Sequence, residues 1–391
     1  MRKLNQILLV TLMNLRGLPQ RLGSSLVIVV GMAGVVGVLV SMLAMVGSLN
    51  DSLVATGSPQ RALVLRNGAT GEVSSVVSPE AMATIMSAPG IARTPDGDVA
   101  LTSDVIVAVN LEKIDGTTGA VSIRGVSPAN ATVRPEIRIV EGRMFEPGLR
   151  QMIVGRGTAS EYRNAGLGDR VSLRNSVWDV VGVFESGDSF ESSLLADYQT
   201  LLSASQRTQA SSATVLLRSE GAFDEFKAAI TTDPSLDMQV LRETEYYEGQ
   251  GQQLRAILGI ISNVVAGIMA IGALFAALNS MYSAVSTRTV EIATLRAIGF
   301  GSGSVIFSVL VEAMLLAVAG ALLGALAAWV LFGGNTVSMG NQISSFVFEM
   351  RITAGLVFTG IAWACVVGFL GGLLPALRAA RRPVAEALRA T

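Results

Sequence analysis

Few side chains in this sequence could act on a covalent bond. Glu185, Asp188 and Glu191 stand in ESGDSFESS, a serine-rich stretch that reads as a loop and offers no convincing acid dyad for glycoside chemistry. Glu141, Arg143 and Glu146 flank turns, where charges ordinarily belong to the surface. The chain has no histidine and one cysteine, Cys365, which excludes a Ser-His-acid triad, a Cys-His pair, an internal disulfide framework and a Cys/His zinc site. A purely carboxylate metal site is compatible with the composition, but no cluster of acids marks one. No Gly-Lys-Ser/Thr follows a glycine-rich loop, so there is no P-loop. The sequence therefore offers no catalytic site and no cofactor or metal site of its own.

The charged residues that stand out do so by position. Arg288, Glu291 and Arg296 lie in STRTVEIATLRAIGFGSG, residues 286–303, between two long apolar stretches. Ala293, Leu295, Ala297 and Ile298 are apolar, and Gly299 and Gly301 offer a stop. This pattern predicts a helix from Thr289 to Ile298 lying across a membrane surface, with a plain interhelical loop as the alternative. Glu291 near its start and Arg296 near its end match the helix dipole. Glu312 falls inside the next apolar stretch. An ionisable group in hydrocarbon is costly and turns toward protein, water or a partner. A packing or interface role is the simplest account; a transport-path or conformational-switch role and proton translocation are the others. Gly320 and Gly324 make a small-xxx-small step suited to close helix contact.

The elements that must carry these residues are membrane helices. Half of the 391 residues are hydrophobic and only 15% are charged, against about a quarter in a soluble domain. Residues 1–21 carry Leu4, Ile7, Leu8, Leu12 and Leu15 at helical spacing and read as an amphipathic inner-leaflet helix, with the first turns of a longer spanning helix as the alternative; Pro19 favours the break. Residues 22–50 lack charge and read as a first span, with a core longer than that of a signal peptide. Residues 256–285 give a second span, 286–303 the short cytoplasmic element, 304–332 a third span and 333–351 a short outer loop. Residues 352–374 give a fourth span, with Pro375 at its end and 375–391 as a tail. Cys365 reads as a small packing residue.

Residues 51–255 have ordinary soluble composition. β-branched runs at Ala62–Leu65, Val105–Val109, Val121–Ile123, Val171–Leu173, Val177–Phe184 and Ala213–Leu217 predict strands. Pro79–Met86, with Ser78 as N-cap, and Ala222–Ile230 predict helices. The mixture predicts an α+β domain. Residues 242–255 read as a linker or as an extension of the second span, with Tyr246 and Tyr247 candidates for the outer interface. Lys and Arg collect in the N-terminal segment, in 286–303 and in the tail, and the loop 333–350 has none. The positive-inside rule then puts both termini and 286–303 in the cytoplasm and the large domain outside. No basic excess points to nucleic acid.

With these residues in view, the sequence resembles the permease half of the MacB/FtsX-like family of ABC transporters. LMNLRGLPQRLGSSLVIVVGM is similar to the family's inner-leaflet helix and first span. NSMYSAVSTRTVEIATLRAIGFGSGSVIFSVLVEAMLLAVAGALLG is similar to its second span, coupling loop and third span, with Arg288, Glu291, Arg296, Ala297, Gly299 and Glu312 at family positions. GGLLPALRAARRPVAEALR resembles its closing motif. IRGVSPANATVRPEIRIVEGRMF, with VGRGTASEYRNAGLGDRVSL and WDVVGVFE, is similar to the periplasmic domain of the MacB-like branch.

The resemblance implies a four-span α-helical protein of the bacterial inner membrane with a large α+β extracytoplasmic domain between spans one and two. It implies a second permease copy or a related permease, and a separate ATP-binding subunit that holds ATP and Mg, since no ATPase domain is fused here. It further implies mechanotransmission from the coupling residues Arg288, Glu291, Arg296, Ala297 and Gly299 to the outer domain. The output is efflux of a small molecule, peptide or lipid-linked substrate through an adaptor and an outer-membrane exit protein, with lipoprotein release or hydrolase activation as the alternative. A membrane receptor without an ATPase is the competing class.

Overall fold

The computed structural model describes residues 11, 13, 22–173, 176–233, 236–340 and 345–381. The amphipathic helix expected over 1–21 falls almost wholly outside the described residues, as does the tail from residue 382. The chain divides into two units. One comprises Ser48–Arg255 with Thr336–Glu349; the other comprises Ala256–Asn335 with the chain up to Gly47 and from Met350 onward.

Helix α1 (Leu22–Thr56) leads into the outer unit. There follow β1 (Arg61–Arg66), a 3-10 turn (Glu72–Ser74), α2 (Pro79–Ser87), β2 (Leu101–Glu112), β3 (Thr118–Val126) and α3 (Asn130–Val133). Next come β4 (Arg138–Gly142), β5 (Gln151–Gly155), α4 (Arg156–Glu161), β6 (Arg170–Leu173), β7 (Ser176–Glu185) and a second 3-10 turn (Ser189–Ser192). The unit continues with β8 (Ser193–Asp197), α5 (Tyr198–Ala204), β9 (Ser212–Leu216), a third 3-10 turn (Glu220–Ala222), α6 (Phe223–Thr231) and β10 (Met238–Arg242). Helix α7 (Glu243–Thr287), α8 (Thr289–Ala297), α9 (Ser302–Phe332), the strands β11 (Thr336–Gly340) and β12 (Ser345–Glu349), and α10 (Ala354–Arg381) complete the chain.

The expected α+β domain is built on one sheet in the order β10-β1-β9-β2-β3-β8-β5-β7-β4, with β6 also paired to β7. Its pivot is β2. Leu101–Asp104 pair with β9, and from Val105 onward the same strand pairs with β3. Two hydrophobic cores follow from that change of partner. One gathers Ile85 of α2, Phe223, Phe226 and Ile230 of α6 with Val64 and Val215. The other gathers Trp178, Val107, Ile123, Met152, Leu194 and Leu201. Helix α2 begins as its sequence predicts: the Ser78 hydroxyl accepts the Ala81 N–H at 3.2 Å, and Pro79 occupies the first turn, where its missing donor costs nothing.

Among the described residues, four helices are long and apolar enough to cross a membrane, drawn from α1, α7, α9 and α10. Small residues set their packing. A Cβ on Gly320 would meet Val29 O at 2.6 Å, and one on Gly324 would run into the Ala33 carbonyl. Along α10, Gly368 and Gly372 sit against Ala317 and Ala313 of α9, and Gly371 against Ala277 of α7. These approaches bring backbones together where a side chain would hold them apart.

Several boundaries differ from the sequence reading. Helix α1 continues past Asn50 to Thr56, and α7 begins at Glu243, so residues 243–255 extend the second span as helix. At 45 residues, α7 is about 67 Å long. Tyr246 and Tyr247 are buried within the outer unit, not set at a lipid interface. The loop between spans three and four is a β-hairpin that belongs to the outer unit. Helix α10 runs through Pro375 to Arg381. The ring removes one hydrogen bond, and the buried Ala376, Ala379 and Ala380 hold the turns that follow.

Candidate functional site

Helix α8 is nine residues long, with Glu291 in its first turn and Arg296 in its last. Its end is closed by backbone chemistry. Gly299, at φ +104°, donates to the Arg296 carbonyl at 3.1 Å, and Phe300 N–H donates to the Leu295 carbonyl at 3.1 Å. This paired closure needs a left-handed residue after the cap, which is why a glycine stands there. Arg288 stands at the other end. Its carbonyl accepts the Ile292 N–H at 2.9 Å while its buried guanidinium donates to Glu312 of α9 at 3.3 Å.

Arg288 and Glu312 are thus brought together, and they line a small cleft with Met281, Ile292, Leu295 and Val309. Both are buried, and removing one partner of such a pair leaves an uncompensated charge, at a cost of about 3–5 kcal/mol. Glu291, Ala297 and Gly299 are exposed on α8 and just beyond it, and Arg296 is half-buried. Val290 and Ile298 are exposed at 40% and 70%, so the outward face mixes a carboxylate with apolar groups. Gly320 and Gly324 lie farther along α9, against α1.

Sequence reasoning missed a second constellation, a buried charge network in the outer unit. Arg124 donates to both carboxylate oxygens of Glu72, at 2.8 and 2.6 Å, and to Asp104 at 2.6 Å. Burial alone would raise the Glu72 carboxyl. The Arg124 charge and hydrogen bonds from Arg124 and Ser212 outweigh it and hold Glu72 below its ordinary value. Asp104 shares the same guanidinium, but burial dominates and raises its carboxyl. Glu243, fully buried at the head of α7, pairs with Arg61 and, at 2.6 Å, with Arg134. It also accepts the Ser58 N–H at 3.1 Å. Arg61 reaches back to the Thr56 carbonyl at 3.1 Å, and its other arm reaches Glu136 at 2.5 Å. Two guanidinium groups lie over the Phe190 ring, that of Arg124 at 4.9 Å and that of Arg134 at 4.3 Å from its centroid. Such residues usually read as surface charge. The available signal was their place beside fully apolar runs, as in RALVLR and SIRGV.

The acids of the serine-rich stretch are structural. Asp188 caps the second 3-10 turn through the Phe190 N–H at 2.9 Å. Glu191 accepts from the backbone of Ser186 and Gly187, and Glu185 pairs with Arg156. Arg143 and Glu146 form an exposed pair at 3.1 Å.

Residues 25–233 match the MacB-like periplasmic core domain, and residues 263–384 match the FtsX-like permease C-terminal region. The chain belongs to the MacB/FtsX-like family of ABC transporter permeases. Among relatives, it is 25% identical over 310 residues to the ABC transporter permease YknZ of Bacillus subtilis (strain 168), covering 74% of each chain. It is 30% identical over 142 residues to the macrolide export ATP-binding/permease protein MacB of Neisseria gonorrhoeae, which is 36% of this chain and 20% of that protein. Solved structures similar to it include the extracellular domain of YknZ, with TM-score 0.36 and 13% identity over 46% of this chain and 99% of that one. The periplasmic region of MacB from Actinobacillus actinomycetemcomitans gives TM-score 0.37 and 13% identity over 49% and 92%. In this MacB/FtsX-like permease, the short helix α8 falls inside the matched permease region and the charge network chiefly inside the matched core domain.

Proposed function

We propose that this permease is the membrane subunit of an ATP-driven transporter, and that α8 receives force from a separate cytoplasmic ATP-binding subunit. The observation that carries this reading is the short helix between two spans. It is rooted by Arg288–Glu312, closed by Gly299, and turned outward through Val290, Glu291, Thr294, Ala297 and Ile298. A helix fixed at both ends passes on displacement that a loose loop would absorb. ATP and Mg are held by the partner, because these 391 residues contain no P-loop. The distribution of Lys and Arg supports an inner-membrane topology with both termini and α8 in the cytoplasm and the large domain outside.

The work done outside is movement of the extracytoplasmic domain, in a dimer with a second copy or a related permease. The output is export of a small molecule, a peptide or a lipid-linked substrate, handed to a periplasmic adaptor and an outer-membrane exit protein. Replacing Glu291 and Arg296 together by alanine tests the proposal. The expected result is loss of the copurifying ATPase, or hydrolysis no longer linked to transport, with the outer domain still resistant to limited proteolysis. A double variant that assembles and transports normally would sink it.

A further inference from the structure

We infer that the 3-10 turn Ser189–Ser192 is where movement of the membrane helices enters the outer domain, and that Phe190 is the positioning residue that carries it. The inference rests on the reading that this domain changes shape when the ATPase works.

Three connections to the membrane segments meet at this one turn. From the end of α1, the Thr56 hydroxyl lies 2.7 Å from the Ser189 hydroxyl and accepts the Ser189 N–H at 3.1 Å. From the head of α7, Glu243 pairs with Arg134, whose guanidinium lies on one face of the Phe190 ring. From the connection between α9 and α10, β12 packs against the turn and against β3. Its Phe348 is buried.

The turn is itself stiff. Asp188 caps it, Ser193 Oγ donates to the Phe190 carbonyl at 2.7 Å, and Gly155 lets β5 approach the Glu191 carbonyl where any Cβ would collide. A stiff turn cannot absorb a pull and must hand it on. Phe190 hands it to Arg124, and Arg124 grips Asp104 and Glu72 at the point where β2 changes partner from β9 to β3. Two guanidinium groups stacked over one ring hold it in register with both. The predicted result is that displacement of the helix ends tilts the two sheet lobes about the β2 seam.

The test uses the full chain with its ATPase partner in nanodiscs. Cys365→Ala frees the background of thiols, and spin labels at Met86→Cys and Val177→Cys report the distance between lobes; both positions are exposed. ATP with vanadate is compared with the nucleotide-free state. Phe190→Leu keeps most of the buried volume and removes both stacked contacts. It should retain less than half of the native distance change while the partner still hydrolyses ATP. Phe226→Leu, equally buried in the α6 core and outside the network, controls for simple loss of packing and should keep the full change.

Should Phe190→Leu fail to assemble, Ser189→Ala, which removes one hydroxyl, reads the same link and should reduce the change. A full change in Phe190→Leu or, where that variant does not assemble, in Ser189→Ala overturns the inference, as do equal losses in Phe190→Leu and Phe226→Leu. No ATP-dependent change in the unsubstituted complex would instead count against the proposed function itself, and the two failures are therefore separable.

Discussion

At the scale of single residues, identical amino acids carry very different loads. Gly324 sits so close to α1 that a methyl group there would strike the Ala33 carbonyl, whereas a Cβ on Gly31 meets nothing within 4 Å. Gly324→Ala should therefore separate two helices and cost about 1–3 kcal/mol, the usual penalty for overpacking. Gly31→Ala should be neutral or slightly stabilising, because alanine is the better helix former. Thermal aggregation in detergent checks both; equal midpoints would show that the α1–α9 contact yields more readily than backbone contact implies. The small-xxx-small spacing of Gly320 and Gly324 was readable in the sequence. The network around Glu243 was not, because a place beside an apolar run, as Arg61 has, hints at burial but names no partner. Only the three-dimensional meeting of Arg61, Arg134 and Glu243 makes them partners.

At the scale of elements, legibility followed alternation or a sustained apolar run, the latter in β1 and β9, which are buried nearly throughout and were anticipated at Ala62–Leu65 and Ala213–Leu217. Strand β7 shows alternating burial and was anticipated over Val177–Phe184. Strand β8 follows a serine-rich stretch and shows only Leu194, Leu195 and Ala196 between polar residues, with no β-branched residue, so neither a period nor a β-branched run marks it. Helix α10 outran Pro375 because tertiary packing overrode a local stop signal. The seam of β2 leads to a prediction about pH. Burial raises the Asp104 carboxyl above its ordinary 3.8, so the stability it contributes is complete below that value and is lost as pH rises through its folded value. Glu72 has the opposite sign. Held below 4.5, it contributes above that value and loses its contribution as pH falls through its folded value. Asp104→Asn removes only the first dependence. The melting temperature of the variant relative to the native chain should accordingly improve as pH rises from about 4 to about 7. A constant or falling difference would contradict the burial argument.

At the scale of the whole molecule, the prediction is topological. Because Cys365 is the only cysteine, a Cys365→Ala chain accepts single thiols at chosen positions. A thiol at Thr294 of α8 should be protected from impermeant maleimide in intact cells, and one at Val177 of β7 should be labelled at once. Labelling of both from the same side would remove the basis for force crossing the membrane. The four-helix, one-domain plan was visible in the charge distribution. The assignment of the hairpin β11–β12 to the outer unit was not, since the mixed polar and apolar stretch between Phe332 and Ala354 looks like any short connection. One feature of the sheet reaches into protein production. Strand β2 serves both cores, so a fragment that begins at Val105 keeps the pairing with β3 but loses Leu101–Asp104 and leaves β9 with a bare row of amide and carbonyl groups. Such raw edges recruit stray strands and precipitate. A soluble piece of this chain must therefore keep both halves of that strand together, however convenient a smaller fragment would be.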